Sequence, residues 1–77
     1  MSLIFYSKIG CPWGDEVRDF LLQNHIEFDE REMTQNDSFY KECLDKTGQT
    51  KCPTFDIDGY LLPDSDVLAL KRFLHKD

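Results

Sequence analysis

Four consecutive apolar residues, Leu3-Ile4-Phe5-Tyr6, are stopped by Ser7-Lys8-Ile9-Gly10 and followed at once by Cys11-Pro12. A run this short and without helical periodicity reads as a buried, central strand. Pro12 suits the first turn of a helix, where its missing N–H costs nothing, and Trp13, Val17, Phe20 and Leu21 then recur on one face. The spacing predicts a helix from Pro12 to about Asn24. Its polar face carries Asp15, Glu16, Arg18, Asp19 and Gln23, with acids in the first turn as the helix dipole prefers, and Asn24 and His25 supply the stop.

Beyond this helix, Ile26, Phe28 and Met33 alternate loosely with charged residues, and Glu27 to Glu32 fits a second strand near a sheet edge. Asn36 or Asp37 can cap a second helix reaching about Thr47, with Phe39, Tyr40, Cys43 and Leu44 as its apolar stripe and Gly48 as its end. Thr54 to Ile57 and Tyr60 to Leu62 are β-forming runs separated by Asp58-Gly59, a strong hairpin signal. Asp64 or Ser65 then caps a last helix through Val67, Leu70 and Leu74, with Leu68 and Phe73 widening its apolar face and Lys71, Arg72 and Lys76 near its C-terminal end. The order is β-α-β-α-β-β-α. Two βαβ-type steps, a hairpin and a covering helix give an α/β fold, a four-stranded mixed sheet flanked by helices on both faces. With 77 residues and no linker or repeat, one single domain over residues 1–77 is expected.

Charge and cysteine usage narrow the function. Nine Lys and Arg against fifteen Asp and Glu leave a net charge of −6, which disfavours phosphate backbones and anionic lipid. No nucleic-acid partner is expected. No apolar run approaches the roughly 20 residues that span a bilayer, and the N-terminus lacks the basic and apolar blocks of a signal peptide, so a soluble, cytoplasmic protein without a membrane partner is expected. The three cysteines, Cys11, Cys43 and Cys52, form neither the even count of a disulfide scaffold nor the C-x-x-C pairs of a zinc site. Chemistry is the better explanation for at least one.

Cys11 lies between a predicted strand and the first turn of a helix, where unpaired N–H groups and the helix dipole stabilise a thiolate. Lys8, three residues upstream, adds positive charge. Against this stands the plain reading of Cys11 as a small buried apolar residue. Cys43 falls on an apolar stripe and is expected to be structural. His25 and His75 have no matching partners and are not catalytic or metal candidates, and no metal site is expected. Trp13 fits equally an exposed aromatic beside the thiol and a core residue in phase with Val17 and Phe20.

The segment Tyr6-Ser7-Lys8-Ile9-Gly10-Cys11-Pro12-Trp13-Gly14 resembles the glutaredoxin pattern Y-S-K-x-x-C-P-[YFW]-C in every fixed position but the last. Thr47-Gly48-Gln49-Thr50-Lys51-Cys52-Pro53-Thr54-Phe55 is similar to the family's T-G-Q-x-T-V-P-x-x-F, and Asp58-Gly59, Ser65-Asp66 and an amphipathic helix follow in the family's order. The resemblance implies a thioredoxin-like (glutaredoxin) fold. It also implies a thiol-disulfide oxidoreductase active in cell redox homeostasis, with Cys11 as the nucleophile, glutathione as co-substrate, no tightly bound cofactor, and glutathione and protein disulfides as partners of a monomer. Lys8 would meet a glutathione carboxylate, Pro12 would keep the turn rigid and Trp13 would stand beside the thiol. Pro53 would be the cis-proline that lets a peptide-like ligand pair with Cys52. Asp64, Ser65 and Asp66 stand where the family captures the γ-glutamyl end of glutathione. Pro63-Asp64 replaces the family's Gly-Gly, and Asp64-Ser65 is more similar to the acid-serine pair of glutathione transferase N-terminal domains. A helix cap alone is the plainer reading of these residues.

Gly14 occupies the place of the family's second cysteine, so a local C-x-x-C disulfide cannot form. A monothiol C-P-W-G mechanism, resolved by glutathione, follows unless Cys52 intervenes. In the family's fold the residue before the cis-proline faces the nucleophile. Cys52 then either packs like the valine it replaces, forms a disulfide with Cys11 as a resolving thiol, or holds a soft metal ion with it. Two other functions compete with glutathione-dependent reduction of mixed disulfides. One is a glutathione- or protein-binding or electron-donor module with weak catalysis, and the other is iron–sulfur cluster binding by a dimer. The C-G-F-S and Trp-Pro features of cluster-binding relatives are missing here.

Overall fold

The computed structural model describes residues 1–75, so Lys76, assigned above to the last helix, lies outside the described residues. The elements are β1 (Leu3–Ser7), α1 (Pro12–Gln23), β2 (Asp29–Glu32), α2 (Asp37–Thr47), β3 (Thr54–Ile57), β4 (Tyr60–Leu62) and α3 (Val67–Leu74). They form one four-stranded sheet in the order β2-β1-β3-β4, which puts the apolar run of β1 in its interior. β1 pairs parallel with β2 and antiparallel with β3, and β3 pairs antiparallel with β4. The first crossover is therefore a βαβ unit. The second, through α2, is not, because β3 returns antiparallel to β1. The hairpin turns at Asp58 (φ 52°) and Gly59 (φ 91°), two consecutive left-handed residues that glycine tolerates without cost and that match strand twist.

Side chains alternate across β1, and this alternation divides the core. Leu3 and Phe5 join Val17 and Leu21 of α1, Phe55 and Ile57 of β3 and Leu70 of α3. Tyr6 joins Met33 and Cys43, with Ile4 and Phe39 packed against them on the α2 side. Helices thus cover both faces. Among the described residues no helix is long and apolar enough to cross a membrane.

Three local expectations are corrected. β1 runs one residue further than its apolar run, to Ser7, whose buried hydroxyl donates to Glu30 at 2.7 Å. β2 begins at Asp29 rather than Glu27, because the preceding segment is still leaving α1: the Ile26 N–H donates to the Leu21 carbonyl at 3.0 Å, and Ile26 and Phe28 pack on the α1–α3 core. The last helix is capped by Asp66, not by Asp64 or Ser65. Asp64 stands in the left-handed region at φ 49°, and the backbone becomes extended at Asp66, whose carboxylate accepts from the Ala69 N–H at 3.0 Å.

Candidate functional site

β1 delivers the chain through a short loop to Cys11, which is the N-cap of α1, with Pro12 at the first helical position. The Cys11 N–H donates to the Lys8 carbonyl at 3.2 Å, and the Gly14 N–H donates to the Cys11 sulfur at 3.3 Å. A backbone donor and the positive end of a twelve-residue helix therefore meet at this sulfur, both of which favour a thiolate. The loop is tied down from β2. Glu32 accepts from the N–H of Ile9 at 3.0 Å, from that of Thr34 at 3.0 Å and from that of Gln35 at 2.9 Å. Burial pushes the Glu32 carboxyl up, but these hydrogen bonds and one from the Thr34 hydroxyl outweigh it and bring it down to about 2.

Cys52 arrives from the opposite side on the loop between α2 and β3, and its peptide bond to Pro53 is cis. This loop is built by side chains rather than by backbone pairing. The Gln49 amide accepts from the Lys51 N–H at 2.6 Å and donates to the hydroxyls of Thr47 at 2.8 Å and Thr54 at 3.2 Å. The buried Thr54 hydroxyl donates to the Lys51 carbonyl at 2.6 Å and accepts from the Asp64 N–H at 3.2 Å. One hydroxyl thereby links the Cys52 loop to the segment entering α3. The outcome is a disulfide between Cys11 and Cys52, 41 residues apart in sequence, with their Cα atoms 6.6 Å apart, a separation a disulfide spans.

Beside the sulfur pair lies a cavity of about 370 Å³ lined by Trp13, Cys52, Pro53, Asp64, Ser65, Asp66 and Ala69. Six of the residues singled out in the sequence therefore converge here. Trp13 is 59% exposed, which places it on the surface and not in the core. Pro12 is exposed at the start of α1. Lys8 is half-buried, does not line the cavity and forms no ion pair among the described residues. Ser65 is already engaged: its N–H donates to the Pro53 carbonyl at 2.8 Å and its hydroxyl to the Pro63 carbonyl at 3.0 Å. Asp64 lies 3.7 Å from the exposed Lys51 ammonium. Cys43 is fully buried, and burial pushes its thiol up. His25 and His75 are exposed at the ends of α1 and α3.

Sequence reading missed Glu32, Gln49 and Thr54 as the residues that fix the two loops. The first carries no signal beyond a carboxylate near a loop, and the others stood in the family motif without an assigned task.

The Glutaredoxin family model matches residues 3–62. Among solved structures, the chain is similar to a mutant of the thioredoxin-like protein BC3987, with a TM-score of 0.85 and 22% identity over 95% of this chain and 99% of that one. It is also similar to the holo form of glutaredoxin C1 from Populus tremula × tremuloides (TM-score 0.71, 15% identity, 96% of this chain and 75% of that one). A wheat glutaredoxin gives a TM-score of 0.70 at 23% identity, covering 91% of this chain and 70% of the other. At these identities the likeness carries the thioredoxin-like fold alone. No curated protein sequence matches the chain.

Proposed function

Because the chain belongs to the glutaredoxin family, we propose that it is a thiol–disulfide oxidoreductase in which Cys11 is the nucleophile and Cys52 the resolving thiol. The observation that carries this reading is the meeting of the two sulfurs, one at a helix N-terminus and the other on the Pro53 loop. In the reduced protein, Cys11 thiolate attacks one sulfur of a substrate disulfide. The substrate's other half leaves as a thiolate and takes a proton. Cys52 thiolate then attacks Cys11 Sγ in the mixed disulfide, expels the remaining substrate thiolate, and closes the Cys11–Cys52 bond. The substrate gains two electrons and two protons, and the protein loses both. A thiol reductant restores the dithiol; with glutathione, two molecules are consumed and one glutathione disulfide is formed.

Glutathione fits the cavity as co-substrate in this reading. Trp13 offers an aromatic wall, Pro53 a rigid frame and Cys52 a backbone edge, with Pro12 fixing the start of the helix that carries Trp13. Asp64 and Asp66 offer carboxylates to an ammonium group, with Ser65 between them, while Lys8, outside the cavity lining, is the cation left for a carboxylate that extends beyond it. Both sulfurs come from one chain, so the cycle is that of a monomer. A reducing compartment such as the cytoplasm supplies the thiol reductant.

Reaction of the reduced protein with a glutathionylated peptide, followed by intact mass and peptide mapping, tests the assignment. Cys11→Ser should abolish reduction. Cys52→Ser should still attack but accumulate Cys11 as a mixed disulfide with one half of that substrate, glutathione or the peptide. Unchanged activity in Cys11→Ser would remove Cys11 from the mechanism, and free glutathione-dependent turnover of Cys52→Ser at the wild-type rate would return the enzyme to a monothiol cycle.

A further inference from the structure

Gly14 is buried on the first turn of α1, and its backbone is ordinary helix, so nothing in the chain's geometry there calls for glycine. A glycine inside a helix is destabilising relative to alanine. Space explains its presence. A Cβ placed at this position would stand 2.9 Å from the Cys52 sulfur, closer than side-chain carbons approach sulfur, and 3.4 Å from the Cys11 sulfur, with the Phe5 ring 3.5 Å away beneath. Phe5 is fully buried and cannot give way. The atom that must move is the Cys52 sulfur.

We infer that Gly14 is the selector of the resolving thiol: by lacking a side chain it admits Cys52 to Cys11, and any residue with a Cβ expels it. This rests on the proposed role of Cys52 and extends it to a residue that performs no chemistry. The same position in the C-P-x-C pattern carries the second thiol, so a cysteine there and a cysteine at position 52 compete for one volume. The chain has the second arrangement. In the reduced state Cys52 can turn away from a new methyl group, because its side chain has one rotatable bond and no tether. In the oxidised state it cannot. A methyl group at position 14 therefore acts on the disulfide form and spares the dithiol.

The test is oxidation of reduced wild type and Gly14→Ala by glutathione disulfide at fixed ratios of oxidised to reduced glutathione, read by intact mass and peptide mapping. In the step expected for wild type, Cys11 thiolate takes one glutathionyl group and releases one glutathione thiolate. Cys52 then displaces the second, and the two thiol protons pass to the two glutathiones. Wild type should end as the Cys11–Cys52 disulfide, lighter by two hydrogens. Gly14→Ala should hold glutathione on Cys11, with the equilibrium constant for the internal disulfide reduced by about tenfold or more, the scale of a core overpacking penalty. Its reduced form should unfold in urea at or above the wild-type midpoint, since alanine is the better helix former. A second variant, Gly14→Cys combined with Cys52→Val, should restore an internal disulfide through the introduced sulfur. Internal closure in Gly14→Ala at the wild-type glutathione ratio would overturn the selector role. A wild-type protein that accumulates the glutathione adduct without closing would instead overturn the role of Cys52 itself.

Discussion

Leu3 and Phe5 look onto side chains of α1 and α3, whereas Ile4 and Tyr6, each one residue further along the same strand, look onto α2. The first face is an extended apolar layer of seven buried residues, in which Phe5 stacks on Phe55 at 5.4 Å between ring centroids. The second has three buried residues, Tyr6, Met33 and Cys43, and a rim of charge. There Glu42 accepts from the Tyr6 hydroxyl and from Arg31, and Lys46 bonds Asp56 at 2.8 Å while standing over the Tyr6 ring. The difference explains why the reactive helix sits where it does. Cys11 must keep a fixed position relative to Cys52, and dense apolar packing under α1 supplies that rigidity.

The largest effect should come from the apolar face. Phe5→Ala removes a fully buried ring that touches Phe55 and Phe28 and forms the floor beneath Gly14. Truncation of such a ring costs about 3–5 kcal/mol, against a total stability of about 5–15 kcal/mol for a typical domain. Urea denaturation should show a greatly lowered midpoint or a chain unfolded in buffer. A loss below about 1 kcal/mol would mean that this face is not the structural support of the site.

Acid should separate the two faces next. A hydrogen bond from Lys46, with a second from the Gly59 N–H, holds Asp56 below the usual carboxylate range despite burial. Burial pushes Glu42 up, but Tyr6, Arg31 and Lys46 outweigh it and leave it lowered, and Glu32 stands at about 2. A carboxyl lowered by folding contributes stability that is complete above its unfolded pKa, near 4.5 for these glutamates. That stability is lost as pH falls towards the folded value. Urea midpoints should therefore be flat from pH 7 to about 5 and fall from about 4.5 towards 2. Between these limits amide-exchange protection factors, taken against the intrinsic rate at each pH, should fall in α2 before they fall at the buried residues Val17 and Leu21 in α1. A uniform loss of protection would erase the distinction between the faces. Arg18, which holds Glu30 low from α1, and Glu32, which ties down the Ile9 loop before α1, keep the α1 side from complete indifference.

Most of the framework was legible because it is local. The apolar run of β1, the Asp58-Gly59 turn and the helical spacing of Val17 and Leu21 each depend on residues close in sequence, and each stands where periodicity put it. The direction of β3 was not legible. A crossover through α2 can return a strand either way, and the direction is set by long-range pairing that puts Phe55 opposite Phe5 and Ile57 opposite Leu3, in the core shared with α1 and α3. The cap of α3 differs for a related reason: Asp64, Ser65 and Asp66 are all good caps, and the long-range bonds that the Asp64 and Ser65 N–H groups donate to the Thr54 hydroxyl and the Pro53 carbonyl decide among them. The meeting of Cys11 and Cys52 is likewise a long-range fact: it is implied by the family resemblance alone, with a disulfide as one of three alternatives for Cys52, and the fold selects it. Gly14 was visible as a missing cysteine, but only the fold shows that its emptiness is filled by another sulfur.

The smallest effect should come from one hydroxyl on the charged face. Tyr6→Phe keeps the buried ring and removes the bond to Glu42, leaving that carboxylate with Arg31 and, at 4.0 Å, Lys46. No buried charge is stranded, so the cost should be that of a single charge-assisted hydrogen bond offset by the remaining partners, about 1–1.5 kcal/mol. Because burial and the Glu42 bond push the Tyr6 phenol above its ordinary range, wild type should show one tyrosine that ionises later than the others in alkaline titration, and Tyr6→Phe should lose that late component. The destabilisation should also shrink as acid protonates Glu42, whose carboxyl its partners hold below the ordinary glutamate range despite burial. A cost that stays constant from pH 7 through the acid limb of the wild-type stability curve would assign the hydroxyl to packing rather than to the charge network. A cost of about 3 kcal/mol or more would make the α2 face as dependent on one contact as the opposite face is on Phe5.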